Sequence, residues 1–225
     1  MNRLAAIFML AVCGIWIFPG TAGDKGPVSA GGENRIGART FGEICSTCHG
    51  TRGEGKVELK TPSIASLPKW YVVTQLGKFR DSVRGSRSDD TGGLLMHAVA
   101  QTLDDQQIEA VARIVTALPR VPTQNTLKGD LVRGEFLFGD VCMQCHRYNA
   151  GGEKVFQSPQ LSGLQDWYIA SQLKKFRDGI RGGHEQDVKG AKMHLMVNDL
   201  SDSDLRAVAS YVSVLAARYH PPARR

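Results

Sequence analysis

The sequence predicts an all-α protein built of two tandem domains, and two features of the chain support this prediction. The first is an internal repeat with an offset of 97 residues: residues 41–118 align with residues 138–215 without a gap, and more than a third of the aligned positions are identical. A repeat of this length indicates a duplicated domain. The second is the spacing of apolar residues, which follows the helical period in both copies and shows no convincing alternation of the kind that strands require.

The first 23 residues have the pattern of a secretory signal peptide. Arg3 precedes an apolar run over residues 4–18, which small residues follow as far as Gly23. A basic start, a short apolar run and a patch of small residues are typical of such signals, and the run is shorter than the about 20 residues that span a membrane. We expect cleavage after Ala22 or Gly23, with an uncleaved anchor as the alternative.

The repeat also predicts the domain limits. The first domain covers residues 24–118, a linker covers 119–127, and the second domain covers 128–225. Pro119 and Pro122 in the linker end the preceding helix and keep the connection extended. So short a linker is expected to hold the two domains in contact.

Each copy begins with two predicted helices. The first runs roughly from Glu33 to Cys45, and Gly37, like its counterpart Gly134, permits a close helix crossing. The second helix follows Pro68, and its apolar residues recur at the spacing of a single helical stripe. This stripe consists of Val72, Leu76, Phe79 and Val83.

The last helix of each copy is preceded by a capping pattern. Asp104-x-x-Gln107 stands before the final apolar stripe of the first copy, and Ser201-x-x-Asp204 stands before that of the second. A side chain at the first position accepts from the backbone three residues later, and the residue there reaches back. The sequence therefore predicts that a helix starts at each of these sites.

Two identical motifs of five residues carry the chemistry of the chain. Residues 45–49 and 142–146 both read Cys-x-x-Cys-His, the attachment signature of c-type haem. Each thiol forms a thioether to the porphyrin, and the adjacent histidine ligates the iron. A redox Cys-x-x-Cys pair does not need the histidine, and zinc sites space these residues differently. We predict two covalent haem c groups, held by Cys45, Cys48, Cys142 and Cys145, with His49 and His146 as axial ligands.

The sixth ligand decides between electron transfer and catalysis. Met96 and Met193 occupy equivalent positions ahead of the last helix, and a thioether suits a haem iron of raised potential. We expect these two methionines to be the ligands. His97 and His194 are the rivals, and would otherwise pack beside the haem or bind a propionate. Met196 has no methionine counterpart in the first copy and is interpreted as a filler of the core.

A second set of residues is predicted to support the haems. The carbonyls of Pro62 and Pro159, each 13 residues after a motif histidine, are candidates to fix the second ring nitrogen of that histidine. Aromatic and basic side chains repeated in both copies are candidates to bind the haem propionates. The alternative is that the aromatic residues are core and the arginines surface. These candidates are Trp70, Tyr71, Arg80 and Arg84 in the first copy, and Trp167, Tyr168, Arg177 and Arg181 in the second.

The charge of the chain does not indicate a nucleic-acid partner. The formal net charge is +6. Loss of Arg3 with the signal, and one net negative charge from each haem, lower it to about +3. The two halves are alike: residues 24–120 have 13 basic and 11 acidic side chains, and residues 121–225 have 14 and 11. The charges are therefore interpreted as solvated faces.

At this point the sequence resembles a known family, the tandem dihaem class I cytochromes c of the cytochrome c4 type. The resemblance covers nearly all of the mature chain. It rests on the two haem motifs, on the repeated Gln-Leu-x-x-Phe helices at 75–79 and 172–176, and on both methionines. It implies two cytochrome folds packed about a pseudo-twofold axis, with the haem propionates meeting at the interface. Ile114 departs from the aromatic residue that class I cytochromes often place there, whereas Tyr211 retains it.

The resemblance implies periplasmic electron transfer, in solution or at the outer face of the cytoplasmic membrane. The donors would be a quinol-oxidising bc-type complex or a dehydrogenase, and the acceptors a haem–copper oxidase or a reductase. We therefore expect an electron carrier without catalytic residues. One alternative is a subunit of a larger respiratory or dehydrogenase complex. Another is a dihaem enzyme of the peroxidase or thiosulfate dehydrogenase type, which needs an open or unusually ligated iron.

Overall fold

A computed structural model describes residues 30–122 and 125–219 of the chain, so the predicted signal peptide (1–23) lies outside the described residues. The described part is mostly helical, as predicted. Within these ranges two loops each contain an isolated β-bridge, and no β-strand is formed. The first five α-helices are α1 (Ala30–Thr40), α2 (Ser46–His49), α3 (Lys69–Arg80), α4 (Thr91–Gln101) and α5 (Asp105–Ala117). The next five are α6 (Leu131–Leu137), α7 (Met143–His146), α8 (Asp166–Arg177), α9 (Val188–Val197) and α10 (Asp202–Tyr219).

Each haem motif continues the helix that precedes it. A π-helical turn over Phe41–Cys45 joins α1 to α2, and Phe138–Cys142 joins α6 to α7 in the same way. The wider turn rotates the following residues relative to a regular helix, and such turns are frequent at functional sites. The predicted first helix is thus present but contains a change of winding at its end.

The terminal helices of each domain cross closely. Helix α1 packs on α5, and α6 packs on α10. A Cβ atom added at Gly37 would lie 2.5 Å from the carbonyl oxygen of Ala110, and one added at Gly134 would lie 2.2 Å from that of Ala207. A side chain at either position would therefore collide with backbone, which confirms the reason predicted for the two glycines.

The predicted caps form at the start of both final helices. The Asp104 carboxylate accepts from Gln107 N at 2.7 Å, and the Gln107 side chain accepts from Asp104 N at 3.0 Å. The hydroxyl of Ser201 accepts from Asp204 N at 3.1 Å, and the Asp204 carboxylate accepts from Ser201 N at 3.1 Å. Each helix start therefore satisfies two backbone donors.

Helices α4 and α9 were not expected from the sequence. Both have glycine in the first turn, Gly92 and Gly93 in α4 and Gly190 in α9, and glycine disfavours helix. A buried aspartate at each N-cap compensates: Asp90 accepts from Gly93 N, and Asp187 accepts from Gly190 N. These two helices carry the candidate methionine ligands.

Apolar side chains from both domains join in one cluster. Phe41, Val111 and Val115 of the first domain belong to the same buried cluster as Phe138 and Val212 of the second. The domains are therefore packed together, as a short linker predicts. Within the described residues, no helix is both long and apolar enough to cross a membrane.

Candidate haem sites

The two motif histidines are buried and held in one orientation. Nδ1 of His49 donates to the Pro62 carbonyl at 2.8 Å, and Nδ1 of His146 donates to the Pro159 carbonyl at 3.0 Å. Because a carbonyl can only accept, the ring proton is on Nδ1 and the lone pair is on Nε2. Burial lowers the pKa of both histidines, while the carbonyl bond opposes the shift. Each imidazole is therefore a neutral ring with Nε2 available to a metal.

The four motif cysteines have no disulfide partner among the described residues. Burial raises the pKa of Cys45 to about 11 and that of Cys142 to about 12, where the neighbouring Cys145 adds to the effect. Thiol–disulfide enzymes need the opposite shift, because the thiolate is the reactive form. Across residues 30–122 and 125–219, no cluster of three or more His, Cys, Asp or Glu could hold a bare metal ion. Each pair of cysteines fits thioether attachment to haem.

A cleft in the second domain brings these groups together. It encloses about 1270 Å³, including its opening to solvent. Cys142, Cys145 and His146 line one side, and Met193 lines it as well. Most of the remaining lining is apolar, which suits a porphyrin face. This part of the lining includes Val141, Phe156, Leu161, Leu164, Ile169, Leu173, Phe176, Val197 and Val208.

In the second domain, Met193 and the neighbouring His194 have different surroundings. Met193 lines the cleft, whereas Nδ1 of His194 donates to the Phe176 carbonyl at 2.6 Å. His97, next to Met96, makes the same contact with the Phe79 carbonyl at 2.5 Å. Each histidine thus ties the methionine-bearing helix to the preceding helix of its own domain. The carbonyl contact alone leaves Nε2 of these histidines free, but Met193 lies on the cleft lining and His194 does not, so the observation from the second domain supports methionine as the candidate sixth ligand.

Met196 does not fill the core as expected. Met196 is 53% exposed and also lines the cleft in the second domain. Positions 193 and 196 are three residues apart in α9, so they lie on the same face of the helix. Met196 therefore adds a second thioether to the cleft in the second domain. The first domain has Val99 at the equivalent position and so does not have this group.

A network of polar side chains joins the two domains. Nη2 of Arg181 donates to Tyr71 Oη at 3.0 Å and to Gln75 Oε1 at 3.1 Å. In the equivalent contacts on the other side of the interface, Arg84 donates to Gln172 Oε1 at 2.8 Å and to Tyr168 Oη at 3.3 Å. Both guanidinium groups are buried, and each also bonds the glutamine of its own domain. The repeated identities in this region therefore form an interface with approximate twofold symmetry.

The network carries more positive than negative charge. Lys78 pairs with Asp187 and Lys175 pairs with Asp90, whereas the partners of Arg84 and Arg181 are neutral. Burial acts to raise the pKa of Tyr71, but the charges of Arg181, Arg84 and Lys78 outweigh it and lower that pKa. Tyr71, Gln75 and Arg181 also line the second cleft. A buried cationic interface at the cleft suits the propionates of a haem.

The other candidate residues lie in different surroundings. Arg80 pairs with Asp105 and Arg177 pairs with Asp202 in the final helix of the same domain, both towards solvent. Trp70 and Trp167 pack edge-on against the tyrosines that follow them. Nε1 of Trp167 is buried without a partner among the described residues. Sequence reasoning missed the roles of Gln75, Gln172 and the lysine–aspartate pairs, although their identity in both copies was a usable signal.

Comparison with known proteins agrees with this geometry. The Cytochrome c family model matches residues 35–116 and 131–216. Cytochrome c4 of Azotobacter vinelandii is 26% identical over 226 residues, which cover 96% of this chain and 100% of the relative. The thiosulfate dehydrogenase electron acceptor of Stutzerimonas stutzeri is 29% identical over 190 residues, covering 78% of this chain and 80% of the relative.

The fold is also similar to solved structures. The crystal structure of reduced recombinant cytochrome c4 from Pseudomonas stutzeri superposes with a TM-score of 0.64 and 26% identity, covering 80% of this chain and 97% of that one. The two matched segments correspond to the two halves of the internal repeat. The chain thus belongs to the cytochrome c family, as a dihaem electron-transfer protein of the cytochrome c4 type with two covalently attached haem c groups.

Proposed function

We propose that His49 with Met96, and His146 with Met193, are the axial ligands of the two haem irons, and that the protein is a carrier without catalytic activity. Each haem supplies an iron centre that takes up and releases one electron. The chain holds the imidazole by its Nδ1 proton, presents the thioether from α4 or α9, and keeps water from the apolar faces of the cleft. With both axial positions filled, no site remains for a substrate.

The observation that carries this proposal is the presence of His146 and Met193 on the lining of one cleft, beside both thiols. The test is carbon monoxide binding to the fully reduced protein, combined with the near-infrared band that methionine-ligated ferric haem shows. A carrier gives a band from both haems and no rapid, stoichiometric carbon monoxide binding. Rapid binding at one haem would identify an open iron and support the enzyme alternative.

We propose that the partners are other redox proteins. The donor is a quinol-oxidising bc-type complex or a dehydrogenase, and the acceptor is a haem–copper oxidase or a reductase. A relative with the name thiosulfate dehydrogenase electron acceptor supports the dehydrogenase as donor. Stopped-flow reduction by a purified thiosulfate dehydrogenase and by a bc-type complex, each at matched concentrations, would rank the two. Co-purification of the chain with either donor would instead favour a bound subunit.

We further propose that the mature protein is periplasmic, with domains over residues 24–118 and 128–225 and a linker over 119–127. The signal pattern supports export, and the end of α5 at Ala117 and the start of α6 at Leu131 support the limits. Mass spectrometry of the protein from the periplasmic fraction tests the cleavage site. A mass that retains residues 1–23 in a membrane fraction would indicate the anchor.

A further inference from the structure

The N-terminus of each methionine-bearing helix is fixed by a lysine of the opposite domain. Asp90 caps α4, and its Oδ1 accepts from Gly93 N at 2.9 Å and from Lys175 Nζ at 2.5 Å. Lys175 belongs to α8 in the second domain. One carboxylate oxygen therefore joins the start of the Met96 helix to the other half of the protein.

The second domain shows the same arrangement in reverse. Oδ1 of Asp187 accepts from Gly190 N at 2.8 Å and from Lys78 Nζ, which belongs to α3 of the first domain, at 2.5 Å. The aspartate side chains are 4% and 3% exposed, and the lysines 25% and 21%. Loss of either lysine would leave a buried carboxylate without its counter-charge, which is more costly than loss of one member of a surface ion pair.

The helix start has little freedom to move in other ways. A Cβ atom added at Gly85, whose φ is +79°, would lie 2.2 Å from the Gly93 carbonyl oxygen, and Gly182 and Gly190 show the same close approach. Inside each domain, His97 and His194 tie the methionine helices to α3 and α8. Each of α3 and α8 therefore contacts the methionine helix of its own domain through a carbonyl and that of the other domain through a lysine.

We propose that Lys78 and Lys175 are positioning residues for the sixth ligand of the opposite haem, so that the hold of each methionine on its iron depends on contact between the domains. This inference rests on the proposed ligands Met96 and Met193. Lys175 acts on the first haem through Asp90 and α4. Lys78 acts on the second haem through Asp187 and α9.

The experiment measures how readily imidazole displaces methionine, through loss of the near-infrared band of the ferric protein. In a Met193→His background the band reports the first haem alone, and in a Met96→His background it reports the second. We expect Lys175→Gln to lower the imidazole concentration for half-loss of the first haem's band about tenfold, with less than a twofold effect on the second. Lys78→Gln should give the reverse.

Matched variants separate positioning from general stability. Lys174→Gln is the control, because Lys174 also belongs to α8 but pairs with Asp178 of its own domain, the residue that follows the helix. Asp90→Asn keeps an acceptor for Gly93 N but loses the ion pair, so it should reproduce Lys175→Gln, and the double variant should be no weaker than either single one. Lys175→Arg should restore most of the wild-type value.

Equal weakening at both haems, or no change in imidazole affinity, would overturn the proposal, since either result would make the lysines simple contacts between domains. If Lys175→Gln does not fold, Asp90→Asn decides by the same criteria. Absence of the near-infrared band in the unsubstituted protein would be a different failure: it would refute the methionine ligands themselves, and the positioning role with them.

Discussion

The two domains have the same order of helices but differ in how they are packed. Helix α8 buries Ile169, Leu173 and Phe176. The equivalent helix α3 buries only Phe79 of its apolar stripe and leaves Val72 and Leu76 half-buried. The final helix has 18 residues in the second domain and 13 in the first. The second domain therefore has the larger core of the two. Because buried apolar area is the main source of stability, this core should contribute more to folding.

The loops that follow the two haem motifs make different contacts with the opposite domain: in the second loop, Gln160 donates its side chain to the Ser66 carbonyl of the first domain at 2.8 Å. The Gln165 side chain accepts from Ser63 N at 2.8 Å and donates to the Glu54 carbonyl at 2.9 Å, beside the Pro62 carbonyl that holds His49. The position equivalent to Gln165 in the first domain is Pro68, whose ring has no polar atom to reach back. The two copies therefore differ in how these loops are held. Within the described residues, the loop that contains Pro62 has its backbone held by a side chain of the other domain, whereas the loop that contains Pro159 makes its contact through its own Gln160 side chain.

The largest expected effect tests whether the haems are equivalent in their ligands. Met96→His and Met193→His should each lower the reduction potential of one haem, on the order of 0.2 V, because imidazole favours the oxidised iron relative to a thioether. Potentiometric titration measures the reduction potentials of the two haems in each variant, and the near-infrared band reports which haem retains its methionine. Met196→Leu is the matched control and should retain the band. The first haem contributes about half of the band in either variant. Full two-haem intensity in Met193→His, together with about half intensity in Met196→Leu, would show that the second domain uses its additional methionine.

The next effect concerns the anchoring of the linker, which differs between the domains. The Asp166 carboxylate is fully buried and accepts from the backbone nitrogens of Leu127 (2.8 Å) and Trp167 (2.7 Å) and the hydroxyl of Thr126. Lys69, at the equivalent position, pairs with Glu109 while about half exposed.

Asp166→Ala should therefore lower the free energy of unfolding by about 3 kcal/mol, because it leaves several donors without an acceptor. Lys69→Ala should cost less than about 1 kcal/mol. Denaturant titration of both variants, followed by far-ultraviolet circular dichroism, gives the two values. Equal losses would contradict the asymmetry.

The interface between the domains should respond symmetrically instead. Arg84→Gln and Arg181→Gln each remove one buried positive charge near the haems, which stabilises the oxidised iron and lowers the reduction potential on the order of 50 mV. Both arginines contact both Gln75 and Gln172, so the two variants should produce similar shifts. Redox titration measures the shift, and Arg87→Gln, on an exposed loop, is the control. Unchanged potentials would place the propionates elsewhere.

Much of the fold and of the chemistry could be predicted from sequence because it depends on local patterns. The haem motif is a fixed spacing of three residues, and the caps at Asp104 and Ser201 are four-residue patterns. Helices α4 and α9 could not be predicted in this way, because glycine in the first turn masks the signal and the compensating aspartate is recognisable only once its cap forms. The pairing of Lys78 with Asp187 was equally inaccessible, because sequence repeats show which residues are shared and not which faces meet.

A smaller effect tests the contact from the second domain to the first haem loop. Gln165→Ala removes the acceptor for Ser63 N, which should cost about 1 kcal/mol of local stability. Hydrogen exchange of residues 54–67 should accelerate about fivefold, while residues 151–164 exchange as before. Gln106→Ala, an exposed substitution, is the control. Equal acceleration in both loops would contradict this difference between the loops.

The smallest expected effect is a difference in acid sensitivity between the final helices. The cap residue Asp204 bonds Arg133 at 2.7 Å, and this contact, together with the Ser201 hydroxyl, lowers the pKa of Asp204 to about 2. Its counterpart Gln107 does not titrate. A carboxylate with a lowered pKa stabilises the fold above the pKa of the unfolded chain, and this stabilisation is lost as the pH falls through about 2. Arg133 is half exposed, so the contribution should be about 1 kcal/mol.

Asp204→Asn should therefore be less stable than the unsubstituted protein at pH 6 by this amount, and most of the difference should be lost by about pH 2, where the wild-type carboxyl is itself becoming protonated. Denaturant titrations at the two pH values measure it, with the exposed substitution Asp199→Asn as the control. A deficit that persists undiminished in acid would mean that the amide is a poorer cap at any pH, and that charge does not distinguish the second domain's helix start from the first's.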